Sequence, residues 1–121
     1  MDAQCPSNIN SGGPFVINNG DDCLITGFIN TSENVTIKNG GKLTLDANLV
    51  SINGGTIIVE DGGELVVDGN TQIINDGVLR IESGGTGLFD NIGNLEIGHV
   101  AGSSGGTLHV DGSILIDGRM N

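Results

Sequence analysis

The sequence predicts an all-β fold, a right-handed parallel β-helix with about 22 residues and three short strands per coil. Three observations predict it. The stretch Gly40-Gly41-Lys42-Leu43-Thr44-Leu45-Asp46 returns as Gly62-Gly63-Glu64-Leu65-Val66-Val67-Asp68, as Gly84-Gly85-Thr86-Gly87-Leu88-Phe89-Asp90, and as Gly105-Gly106-Thr107-Leu108-His109-Val110-Asp111. Their first glycines are 22, 22 and 21 residues apart, a spacing suited to stacked coils. Residues beside the glycine pairs alternate apolar and polar with period two, and no window carries the 3.6 period of a helix. Asn, Asp and Gly gather between these runs, at corners where left-handed backbone is cheap. The right-handed winding follows from the preference of strand crossovers.

Residues 1–33 fit the period poorly. Ser7 to Pro14 is rich in turn formers, Phe15-Val16-Ile17 reads as a short strand, and Asn18 to Asp22 as a loop. A solenoid needs its end covered, so 1–33 is expected to form a cap and an irregular first coil, with Phe15 as a plug. Residues 34–121 are then the solenoid proper, 88 residues or four coils of 22.

Within it, Val35-Thr36-Ile37-Lys38, Ile57-Ile58-Val59-Glu60 and Leu79-Arg80-Ile81-Glu82 repeat at 22 residues. The column Thr36, Ile58, Arg80 must face water because it holds Arg80, which turns Val35, Ile57, Leu79 and Ile37, Val59, Ile81 inward. The lead stretch gives two more inward columns: Leu43, Leu65, Gly87, Leu108 and Leu45, Val67, Phe89, Val110. Gly87 lacks a side chain in the coil where Phe89 is largest, which reads as size compensation in a close-packed layer. A third segment, Leu49-Val50-Ser51-Ile52-Asn53 set opposite Thr71-Gln72-Ile73-Ile74-Asn75, has no settled facing. Asn91 to Ile97 fits either the second or the third strand, and His99 to Ser104 reads as an inserted loop.

The totals restrict function. A chain of 121 residues is one domain. Its 22 glycines lack the three-residue period of collagen. A formal charge of −11 disfavours nucleic acid and anionic membrane surfaces but leaves room for a cation such as calcium. No run approaches the length of a membrane span, and no signal peptide is visible. Cys5 and Cys23 are the only cysteines. We expect them to form a disulfide, which in the chain-entropy model stabilises by about 3 kcal/mol and implies an oxidising compartment. The alternative is two separate reduced thiols.

The alternation of Gly-Gly-x-Leu-x-Val-Asp-Gly with Ile-Asn-Gly-Gly-Thr resembles the parallel β-helix repeats of large secreted bacterial surface proteins and adhesins. Ala3-Gln4-Cys5-Pro6 resembles the mature N-terminus of surface proteins exported by the type IX system of gliding bacteria. The repeat resemblance covers about three quarters of the chain. It implies the fold and an extracellular or cell-surface location. It leaves function open, because such solenoids serve as stalks, adhesins and lyases alike. No C-terminal sorting domain follows, so a segment of a longer protein is expected.

Few residues form a chemical constellation. Asp46, Asp68, Asp90 and Asp111 are expected in one column at about 4.8 Å spacing, where like charges repel by about 1 kcal/mol in water. Hydrogen bonds from corner N–H groups or a bound cation would relieve this. Calcium takes clustered carboxylates, so Asp68 and Asp90 are the leading metal candidates, against solvated Asp corners. The calcium nonapeptide Gly-Gly-x-Gly-x-Asp is not matched, because Phe89 follows Leu88. Lys38 with Glu60, and Lys42 with Glu64, are expected as cross-strand ion pairs worth at most about 1 kcal/mol each. His109 and Asp111 share an outer side near Ser103 and Ser104 but lack a nucleophile elbow or third ligand.

An ice-binding Thr ladder is absent: the columns read Thr36, Ile58, Arg80 and Thr44, Val66, Leu88. Sugar-binding faces usually stack sugars on Trp or Tyr, and this chain has neither. A lyase would want a Lys or Arg base near calcium, and Arg80 and Arg119 lie in different coils. The expectation is therefore a non-catalytic stalk or adhesin module of an exported, fibre-forming surface protein. It would self-associate end to end or join further segments of the same protein or other surface proteins. The alternatives are a calcium-dependent binding module and, behind it, a polysaccharide lyase.

Overall fold

A computed structural model describes residues 5–90, 95–98 and 104–117. Its strands are β1 Phe15–Ile17, β2 Asp22–Thr26, β3 Ile29–Thr31, β4 Asn34–Ile37, β5 Lys42–Asn53, β6 Thr56–Val59, β7 Glu64–Ile74, β8 Val78–Ile81, β9 Thr86–Asp90, β10 Leu95–Ile97, β11 Thr107–Val110 and β12 Ser113–Ile116. The chain is a β-solenoid with three faces, and every strand pairing is parallel. The first face is a five-stranded sheet in the order β1-β4-β6-β8-β11. The second runs β2-β5-β7-β9-β12. The third uses the C-terminal halves of β5 and β7, with β3 below and β10 above.

The inward columns explain the stacking. Val35, Ile57 and Leu79 are register partners and fully buried, as are Ile17, Ile37, Val59 and Ile81. On the second face Cys23, Leu43, Leu65 and Gly87 form one column, and Ile25, Leu45, Val67 and Phe89 the next. Each coil buries its apolar side only because another lies above and below it, which is how a thin repeat sustains a continuous core. A Cβ on Gly87 would collide with Ile81 Cδ1 and touch the Phe89 ring, so the missing side chain is replaced by both neighbours. The column Thr36, Ile58, Arg80 faces outward as expected.

The first corner is glycine-dependent for two reasons. Gly20, Gly40, Gly62 and Gly84 take positive φ and chain together through N–H to carbonyl bonds, Gly20 to Gly40, Gly40 to Gly62 and Gly62 to Gly84. The next glycine of each pair lies against the backbone of the coil below: a Cβ on Gly63 would press on the Ile37 carbonyl oxygen.

The first coil is more regular than the sequence suggests, since β1, β2 and β3 lie in register with the coil above. Below it, Ile9 is fully buried, and its carbonyl accepts from the Thr31 hydroxyl. Ile9 is thus a deeper plug than Phe15, which is half-buried. Cys5 and Cys23 form the expected disulfide, with Cα atoms 5.4 Å apart.

Two expectations are corrected. The last recurrence of the lead stretch belongs to a different corner: Leu108 pairs with Leu79 and Val110 with Ile81, on the first face. Their places in the second-face columns are taken by Ile114 and Ile116, beside Gly87 and Phe89. Gly-Gly occurs at two corners, and Gly106 is the counterpart of Gly55 and Gly77, where a Cβ would strike the carbonyl oxygen of the coil below. The third segment is also displaced by one residue. Val50 pairs with Thr71 and Ser51 with Gln72, because the register shifts between Asp46 and Leu49. β5 carries an extra residue at that bend, and the next corner restores the period through Asn75 and Asp76, both left-handed. Of the loop expected at His99 to Ser104, residues 99–103 lie outside the described residues, as do 91–94 and Arg119.

Candidate functional site

The outward side of the second face collects the features that could act on another molecule. Its central column is Leu24, Thr44, Val66, Leu88 and Leu115. Leu24 and Leu115 are 61% and 65% exposed, so the column is an apolar stripe interrupted at Thr44. The next outward column is Thr26, Asp46, Asp68 and Asp90, and Asp117 continues it through its N–H bond to the Phe89 carbonyl. Asp111 is therefore not in this row. It stands at the first corner above Glu82, its N–H bonded to the Ile81 carbonyl.

Beyond the Asp row the chain turns into the third face and leaves a groove of about 820 Å³. Its floor is Gly27, Ala47 and Gly69, small residues that follow the Asp row at the bend. One wall is Asp46 and Asp68, and the other is Phe28, Leu49 and Asn70, which stand one above another. The bulge shapes this floor. Gly69 has φ 142°, and a Cβ there would overlap the Ala47 carbonyl oxygen. A smaller hollow of about 120 Å³ sits higher on the same face, between Asp90, Asp117 and the apolar side chains Val66, Leu88 and Leu115.

The carboxylates of the first and second faces differ in their company. At the first corner, Lys38 Nζ lies 3.8 Å from Glu60, Arg80 Nε 3.7 Å from Glu82, and His109 Nε2 2.9 Å from Asp111. Of the two expected pairs, Lys38–Glu60 is formed. Lys42 and Glu64 are register partners, but their charged ends do not come within ion-pair distance. Among the described residues, Asp46, Asp68, Asp90 and Asp117 have no ion-pair partner. The row also does not converge: no three His, Cys, Asp or Glu side chains among the described residues could hold a metal together.

His109 and Asp111 do meet, but both are about half-exposed. The Ser104 backbone is bonded to Asn75 on both sides, and Ser103 lies outside the described residues. Among the described residues the buried side-chain polar groups are satisfied, as where Gln72 donates to the Ser51 hydroxyl at 3.0 Å. Among the described residues no helix is long and apolar enough to cross a membrane.

Sequence reasoning found the Asp row but missed its walls. Phe28 and Leu49 were hidden by the displaced third segment, whereas the small residues Gly27, Ala47 and Gly69 directly after Thr26, Asp46 and Asp68 were a legible sign of a cleft. Comparison with protein-family models, curated proteins and solved structures finds no match to this chain.

Proposed function

We propose that this chain is a non-catalytic structural module, a stalk or adhesin segment of an exported cell-surface or fibre-forming protein. One observation carries the reading: the two ends of the solenoid are unlike. The first coil is closed by Ile9 and the disulfide, whereas the inward residues of the last, Leu108, Val110, Ile114 and Ile116, are half-buried. Both ends finish in terminal strands, β1 and β2 below and β11 and β12 above, so the contrast lies in the cover over the core. In a parallel ladder the backbone groups of alternate residues point to opposite neighbours. Thr107, Asp111, Ser113 and Asp117 donate to the coil below, so Leu108, Val110, Ile114 and Ile116 aim theirs at the open side. Such an edge recruits another strand, from a further coil of the same protein or from a second molecule.

Because the core of the opposite end is already covered, the contact between two molecules of this chain that buries the most apolar surface joins upper end to upper end, an isologous pairing. The disulfide supports an oxidising, extracellular setting. Sedimentation velocity over a concentration series tests the proposal. The expected result is a monomer–dimer equilibrium in the micromolar range that Val110→Lys suppresses while the circular dichroism of the fold persists. A strictly monomeric profile at high micromolar concentration contradicts it.

The calcium-dependent reading draws on the Asp row, which has no ion-pair partner among the described residues. Calorimetric titration with calcium, giving neither heat nor a melting shift, would remove it. A lyase reading gains little, since no Lys or Arg among the described residues lines the groove.

A further inference from the structure

We infer that the outer side of the second face is a docking surface for an extended polypeptide segment that alternates cationic and apolar side chains. The surface is separate from the open edge, and its occupant is a different molecule.

The first argument is charge. Four carboxylates, Asp46, Asp68, Asp90 and Asp117, stand in a single row without an ion-pair partner among the described residues. The comparable carboxylates in the upper coils of the first face are partnered, Glu60 by Lys38, Glu82 by Arg80 and Asp111 by the His109 imidazole. Among the described residues the second face carries one Lys or Arg, Lys42, and it belongs to the outward column on the far side of the apolar stripe, between Asp22 and Glu64 in register. A chain with net charge −11 already draws cations towards it, and a row of unneutralised carboxylates focuses that attraction.

The second argument is shape. The lower half of the row, Asp46 and Asp68, lies beside the wall of Phe28, Leu49 and Asn70, and the upper half, Asp90 and Asp117, beside Val66, Leu88 and Leu115. Both hollows on this face place a pair of Asp side chains against apolar groups. Phe28 is 75% exposed, so its ring is available to the aliphatic stem or the charged head of a Lys or Arg. A bare metal ion would use the carboxylates and leave the apolar walls wet. A nucleic acid or acidic glycan would be repelled. The row from Asp46 to Asp117 spans three coil steps, about 14 Å, which roughly four extended residues cover. Carboxylates one coil apart, at about 4.8 Å, lie within reach of basic side chains two residues apart in such a segment.

Fluorescence anisotropy with a labelled hexapeptide of alternating arginine and leucine tests the inference on the intact chain. Saturable binding is expected, weakening as salt rises, with no binding of the peptide that has glutamine for arginine. Asp46→Asn with Asp68→Asn should weaken it about tenfold, whereas Glu60→Gln with Glu82→Gln, the same charge change on the first face, should stay within about twofold. Phe28→Ala should weaken it, and Val16→Ala, on the outer side of the first face, should not. Failure of the arginine peptide to bind overturns the inference. So do equal losses from the two charge-matched pairs, which would mean attraction to net charge alone. Equal binding of the glutamine peptide would mean a merely apolar surface and also overturns it.

Discussion

The two ends of this solenoid use the same kind of coil and reach different degrees of burial. At the N-terminal end the inward residues Ile17, Cys23, Ile25 and Ile29 are at most 1% exposed, as dry as Leu43 or Leu65 in the middle. At the other end Leu108, Val110, Ile114 and Ile116 occupy equivalent inward positions and remain half-buried. The difference lies not in the coils but in what covers them. Ile9, the Thr31 hydroxyl bond and the Cys5–Cys23 bridge lie against the first coil, while no described residue lies over the inward side chains of β11 and β12 as Ile9 does below. A coil of this kind does not bury itself, and its stability is a nearest-neighbour quantity.

The largest effect should come from truncating one column at two heights. Leu65→Ala, in the fully buried middle, should destabilise by about 3 kcal/mol, and Ile114→Ala, at the top of the same column, by about 1 kcal/mol. Urea unfolding measures both, and equal losses would mean that the upper end is covered after all. Next comes the lower cap. Replacing Cys5 and Cys23 by Ala should lower stability by about 2–4 kcal/mol, and adding reductant to the native chain should lower its melting temperature. A negligible loss would show that Ile9 alone closes that end.

The bend between the second and third faces offers a third test. Gly69→Ala must remake a φ of 142° and move the Ala47 carbonyl, at about 2 kcal/mol. Gly27→Ala has open space around it and needs only the positive φ, so it should cost about 1 kcal/mol. Equal effects would argue that the bulge places no demand on Gly69. The smallest effect belongs to the first-face pair. Lys38→Met should change stability by less than about 0.5 kcal/mol, since both partners are more than a third exposed.

The parts legible in the sequence were those in which one residue type holds one structural position. The columns through Val35, Leu43 and Leu45 could be followed because each repeat keeps 22 residues between corners. The last coil was misread because Gly-Gly serves two corners for the same reason, close approach to the carbonyl groups of a neighbouring coil. The Thr following both Gly55 and Gly106 marked their equivalence, but Thr86 follows Gly85 at the other corner and blurred it. The third face was unreadable for a subtler reason. The extra residue at Ala47–Asn48 is offset by Asn75–Asp76, so the period survives while the strand between them slides by one. A slip of one residue exchanges inward for outward positions. That slip also concealed Phe28 and Leu49 as one wall, and with it the groove beside an Asp row that the sequence had revealed.

Backbone hydrogen exchange resolved by residue in dilute solution tests the stacking of coils and its open upper edge most directly. The account predicts alternating protection in the last coil: the N–H groups of Thr107, His109, Ser113 and Leu115, bonded downward, should exchange slowly, and those of Leu108, Val110, Ile114 and Ile116 fast. In the first coil the phase should reverse: the N–H groups of Ile17, Cys23 and Ile25, which point to the coil above, should exchange slowly, and those of Val16 and Leu24, on the lower edge, fast. Uniform protection along β11 and β12, or the same phase at both ends, would contradict it.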